Sequence, residues 1–241
     1  MIRTDFATGN NSMNTHIRIL TTFSAFITSL LLMGAATQDA TQKRIGDAYP
    51  LATCPVSGKQ LGTNPVVVVL SETPRASDKG REVRFCCNGC RANFEKDLKT
   101  NLPELDKKII KAQMPYFPTG NCVVMTSEPM AAPDTPAAMT DGQNVVLGNR
   151  LYRFCCKACV RKFKKNQKKY DEMLMERIIK QQSKSYPLEV CVISGRAYGP
   201  NPNQIVVGNR MVRTCCGGCS NRVKENPAQY IAMLDKAAKA E

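Results

Sequence analysis

The chain has 241 residues, among them 12 cysteines, a single histidine and no tryptophan, and its formal net charge is +14. That length suits one large domain or two to three small ones. The lone histidine, His16, lies in a segment read below as a cleaved signal, so the mature chain lacks imidazole; this excludes histidine acid–base chemistry, Ser/His and Cys/His nucleophilic pairs and His-rich catalytic zinc, and leaves thiolates as the abundant soft ligands.

Residues 1–36 read as an export signal. Arg18 precedes an apolar run from Ile19 to Met33, and Gly34, Ala35 and Ala36 supply small residues for cleavage before Thr37. Met13 offers a more compact start. The alternative, an uncleaved anchor, suits the run less well because it is short and carries several Thr and Ser. The expectation is a periplasmic or secreted protein with no integral membrane span after cleavage.

Beyond the signal, three copies of one pattern follow. A module over residues 49–113 begins with lone Cys54, runs through a strand at Val66 to Leu70, a polar loop and a return strand at Glu82 to Phe85, and reaches the cluster Cys86, Cys87, Cys90. The second, 114–184, has lone Cys122, a Pro/Ala-rich excursion from Ser127 to Gln143 that reads as a mobile surface loop, then VVLGNRLYRFCC and the cluster Cys155, Cys156, Cys159. The third, 185–241, has lone Cys191, then IVVGNRMVRTCC and the cluster Cys215, Cys216, Cys219. In both later copies Gly-Asn between β-branched runs signals a β-hairpin. The lone cysteines recur at intervals of 68 and 69 residues, and every cysteine belongs to the scheme.

Downstream of each cluster the pattern turns helical. Phe94, Phe163 and Val223 stand four residues past the last cysteine. Asn101, Asn166 and Asn226 read as N-caps of a second helix, with Pro227 at a first helical position. The pairs Leu105/Ile109, Tyr170/Leu174 and Tyr230/Leu234 make an apolar stripe. The fold class is therefore α+β: small tandem modules of a β-hairpin plus short helices. Units this small need a staple, and four cysteines per module provide one.

The lone cysteine and the cluster bring sulfur ligands from separate chain segments toward one ion. A helix start and the nearby cations Arg84, Arg91, Arg153, Lys157, Arg161, Arg213 and Arg222 favour thiolates and offset their charge. Thiolates suit Zn(II) first and Cu(I) as the alternative. Met125, Met130 and Met139 around the second module's loop are candidate thioether ligands for copper, against the blander reading of flexible filler. The basic surface suggests nucleic acid, but export and the lack of aromatics among the cations oppose that; an anionic envelope surface or a metal-transfer protein are the partners considered.

These residues resemble the TRASH domain, named for trafficking, resistance and sensing of heavy metals, and the related YHS domain. The resemblance rests on Cys54 with Cys86 and Cys90, Cys122 with Cys155 and Cys159, Cys191 with Cys215 and Cys219, the FCC cores, and Asn-x-x-x-Tyr in the second helix of copies 2 and 3. It runs from Tyr49 to the C-terminus and implies treble-clef-like zinc-finger units that bind heavy metal. The Tyr-His-Ser tripeptide is absent, and an extra cysteine (Cys87, Cys156, Cys216) follows the first cluster cysteine as a fourth ligand, a free thiol or a disulfide partner. Copy 2 has Met125-Thr126 where the others have Ser-Gly, an altered site.

The resulting expectation is a non-enzymatic metal-binding protein for sequestration, buffering or trafficking. Disulfide-stapled structural modules are the alternative in an oxidising compartment. Thiol–disulfide exchange by the CxxC pairs ranks below both, because the sequence lacks a thioredoxin-like βαβ pattern.

Overall fold

The computed structural model describes residues 43–118 and 120–239; the signal read at 1–36 lies outside them. Three two-stranded antiparallel sheets alternate with pairs of helices. The first module has β1 (Val66–Val69), β2 (Glu82–Phe85), α1 (Asn88–Lys96) and α2 (Leu98–Gln113). The second has β3 (Gln143–Leu147), β4 (Arg150–Phe154), α3 (Lys157–Lys165) and α4 (Gln167–Gln182). The third has β5 (Asn203–Val207), β6 (Arg210–Thr214), α5 (Gly217–Glu225) and α6 (Pro227–Ala238).

The hairpins follow from their turns. Leu147 pairs with Arg150 and Val207 with Arg210, leaving two-residue turns at Gly148-Asn149 and Gly208-Asn209. All four turn residues have positive φ, at 51°, 66°, 53° and 60°, the twist a tight hairpin needs. Asn tolerates this conformation better than most side chains. Here both asparagines are also fully buried and hydrogen-bonded. Asn149 Oδ1 accepts from Arg81 Nε at 2.8 Å, while its Nδ2 donates to the carbonyls of Glu82 and Asp47. Asn209 Nδ2 donates to the Leu151 carbonyl at 2.9 Å. Each turn is thus plugged into the return strand of the preceding module.

A glutamine at the end of each preceding helix completes the joint. Gln113 donates to the Asn149 carbonyl and accepts from the Leu151 N–H, both at 2.8 Å. Gln182 does the same with the Asn209 carbonyl and the Met211 N–H, again at 2.8 Å. Within each module an arginine opens the return strand and pairs with an aspartate of the second helix: Arg81–Asp106 at 2.7 Å, Arg150–Asp171 at 3.3 Å and Arg210–Asp235 at 2.5 Å.

The apolar residues expected after each cluster are core. Phe94, Phe163 and Val223 are buried, and Phe163 packs on Phe154 with ring centroids 5.3 Å apart. Leu105, Ile109, Tyr170, Leu174 and Leu234 are buried as the stripe requires, and Tyr230 is half-buried.

Two expectations need correction. Asn101 is not an N-cap: α2 starts one turn earlier, capped by Asp97, whose carboxylate accepts from the Thr100 N–H at 3.1 Å. Asn101 instead donates to the Phe94 and Asn93 carbonyls and closes the end of α1. Asn166 and Asn226 do stand at the starts of α4 and α6. The Ser127–Gln143 excursion, expected to be a loose loop, is tied to the second module. Fully buried Arg153 donates to the Ala131 and Ala138 carbonyls, and Asn144 to those of Ala138 and Met139. Ala138 itself is buried within a short 3-10 turn.

Candidate metal centre

The strand–helix junction places each cluster. The first cluster cysteine ends the return strand's path, the middle one stands in extended conformation at the helix N-cap, and the last falls in the first helical turn. The lone cysteine arrives from the turn ahead of the hairpin. In the first module Cys54 N–H donates to the Lys59 carbonyl and Gly58 N–H to the Cys54 carbonyl; Cys191, Arg196 and Gly195 repeat this in the third. Gly58 and Gly195 have φ of 71° and 66°, which explains the Ser-Gly in both copies.

Three sulfur triads result: Cys54, Cys86 and Cys90; Cys122, Cys155 and Cys159; Cys191, Cys215 and Cys219, with the sulfurs of each triad within 4.8 Å of one another. The Cys86–Cys90 and Cys155–Cys159 sulfurs are 3.6 Å apart, and Cys215–Cys219 are 3.8 Å apart. A tetrahedral Zn–S site with bonds of about 2.3 Å has S···S edges of about 3.8 Å. The spacing fits thiolates around one ion and is far longer than a disulfide bond of about 2.05 Å. The lone cysteines are buried and the others half-buried or buried, so each centre is closed on the protein side.

Cys87, Cys156 and Cys216 stand outside the triads and are exposed. In the first module the middle sulfur is 3.9 Å from that of Cys86. The helix-start N–H groups of Cys90, Cys159 and Cys219 hold the pKa of these three thiols below the ordinary value and so favour their thiolates.

The triads divide their protons unevenly. Burial opposes ionisation of Cys54, but the Ser57 hydroxyl and the N–H groups of Ser57, Cys86 and Val56 outweigh it and bring the pKa to about 6. Cys191 reaches about 6 in the same way, through Ser194, Cys215 and Ile193. For Cys122, burial is overcome by the N–H groups of Met125, Cys155 and Val124. The last cluster cysteines go the other way. Cys90 is pushed up to about 12, first by its hydrogen bond with Cys86 and then by burial. Cys219 is pushed up to about 12 by burial and its neighbouring thiols, and Cys159 is raised by the same causes. Each triad therefore combines one thiol whose ionisation is favoured with one whose proton an incoming cation must displace.

The flanking cations serve the fold more than the sulfurs. Arg84 donates to Glu82 and, across modules, to Asn226 and the Glu225 carbonyl. Arg153 is committed to the Ala131 and Ala138 carbonyls, and Arg213 to the Ser183 carbonyl and the Tyr186 ring. Strand alternation sets Arg84, Arg153 and Arg213 on the face opposite the buried residues Phe85, Phe154 and Thr214 that follow them. Arg91 pairs with Glu95, while Lys157, Arg161 and Arg222 are exposed on the cluster helices. Sequence reading missed the buried arginines and the Asn–Gln joints; the recurrence of Arg two residues past each Gly, in GNRL, GNRM and, one residue closer, GREV, was the available signal.

Among the described residues no helix is long and apolar enough to cross a membrane. No protein-family model, curated protein or solved structure matches the chain. Fold and site together define a class: an α+β protein of three cysteine-rich repeats, each with a thiol triad compatible with metal binding.

Proposed function

We propose that the chain is an exported, non-enzymatic protein that binds Zn(II), or alternatively Cu(I), through cysteine thiolates and sequesters, buffers or passes on the ion. The observation that carries this reading is the convergence of a lone cysteine with two cluster cysteines in all three copies, all three sulfurs within 4.8 Å and the cluster pairs at 3.6 to 3.8 Å, close to the edge of a metal–thiolate tetrahedron. Cys87, Cys156 and Cys216 are the remaining cysteines proposed as ligands, each for the fourth position of its module. The modules are read as treble-clef-like units of the TRASH/YHS type, on the residues that carry that resemblance. Export through a signal at 1–36 places the protein in the periplasm or outside the cell, where an anionic envelope surface or a metal-transfer protein would meet its basic surface.

Element analysis of natively exported protein tests this. Close to three ions per chain are expected, and a chelator should remove them together with helical circular dichroism. Protein without metal, fully folded and with no thiols titratable before reduction, would establish disulfide staples instead.

A further inference from the structure

The three centres differ in the turn behind the lone cysteine. In all three, the N–H of the third residue onward faces the lone sulfur: Ser57 to Cys54, Met125 to Cys122 at 3.4 Å, and Ser194 to Cys191. These positions therefore correspond. In modules 1 and 3 their side chains reach the first cluster sulfur, with Ser57 Oγ 3.4 Å from Cys86 Sγ and Ser194 Oγ 3.3 Å from Cys215 Sγ. Module 2 carries a thioether at this position, and its turn is one residue longer, closing from Cys122 N–H to the Glu128 carbonyl.

Packing does not account for Met125. It is 38% exposed and joins none of the apolar clusters, whereas Met130 lies against the second module's core. Its three rotatable bonds give the sulfur reach toward a triad that its own backbone already touches. The chemistry separates the sites. A hydroxyl held against a thiolate sulfur tempers the charge of a site for a divalent ion, as outer-shell partners do. A neutral, soft thioether suits Cu(I) and serves Zn(II) poorly.

We infer that the module 2 centre is a copper site distinct from the other two, in which the Met125 thioether takes the fourth position instead of Cys156 and joins Cys122, Cys155 and Cys159 around Cu(I). This rests on the thiolate metal-binding reading. The test uses the full chain grown with selenomethionine and loaded anaerobically with Cu(I), examined by copper-edge X-ray absorption. It is paired with competition against the chromogenic chelator bicinchoninate for the wild type, M125S and M125L. Copper–selenium scattering is expected in the wild type and should vanish in labelled M125S. One of the three Cu(I) constants should weaken about tenfold or more in both variants, with Zn(II) stoichiometry unchanged. Loss in both Ser and Leu variants separates the sulfur from side-chain bulk. Three bound ions with no selenium scattering, or with Cu(I) constants untouched by both substitutions, would overturn the Met125 assignment and leave the thiolate reading standing. A chain that takes up no metal sinks both.

Discussion

Cys54 and Cys191 are buried, yet they ionise near pH 6 because the turn behind each one aims a serine hydroxyl and several N–H groups at the sulfur. That gives the metal-free chain a pH dependence whose sign can be worked out. A thiol whose folded pKa is depressed stabilises the fold fully above its ordinary value of 9.0, and this contribution is lost as pH falls through about 6. Cys90 and Cys219, pushed up to about 12, contribute below the ordinary value of 9.0 and lose that contribution as pH rises toward about 12. Under reducing, chelator-treated conditions the urea midpoint should therefore rise from pH 6 to pH 9, the ordinary thiol value, and fall again above it. The double variant C54S/C191S should flatten the rise and shrink the fall, because Cys54 and Cys191 also help to push Cys90 and Cys219 up. A wild-type midpoint identical at both ends of the lower window would show that the hydrogen-bonded turns do not hold thiolates.

At the level of the element, the hairpins were legible because Gly-Asn between β-branched runs has few alternatives to a two-residue turn. The cluster-to-helix junctions were legible for a similar reason: the apolar residue four past the last cysteine fixes the helical face. The second helix of the first module was misplaced by one turn. An i, i+4 stripe looks the same when slid by four residues, and Leu105 and Ile109 satisfied it as well as Tyr170 and Leu174 did. Counting from the last cysteine instead aligns Asp97 with Asn166 and Asn226, and Gln113 with Gln182, which the joints between modules bear out. The joints themselves were hidden, since a buried Asn at a turn tip reads locally as turn chemistry and nothing more. The corrected cap can be tested against its neighbour. Asp97 accepts from the Thr100 N–H, whereas Asn166 makes no side-chain cap bond to its helix. D97A should cost about 1 kcal/mol of stability, and N166A only a few tenths, by chemical denaturation of the metal-loaded chain. Equal costs would mean that the cap position, not the hydrogen bond, sets the stability of these helices.

At the scale of the whole molecule, the repeats are knit together and do not hang as beads. Val146 of the second module packs in the first module's core, and Val206 and Met211 of the third pack in the second's. Residues of the third module return to the first and to the segment just ahead of it: Arg84 reaches Asn226 and the Glu225 carbonyl, Arg44 the Lys224 carbonyl, and Asp47 accepts from the Gly208 N–H while pairing with Arg150 of the second module. A solenoid whose repeats meet only their sequence neighbours loses terminal repeats independently. A chain whose third repeat also grips the first has no terminal repeat to lose in that way. Disabling one centre should therefore weaken all three. The variant C191S/C215S/C219S removes the third triad while leaving Arg84, Asn226 and Asp47 in place. In calorimetry the metal-loaded wild type should unfold in one transition, and the variant in one transition at lower temperature, with the two remaining ions released across it. A split into an early transition for the third module and an unshifted later one would show that each module stands on its own metal, and that the contacts returning from the third module to the first are too weak to couple them.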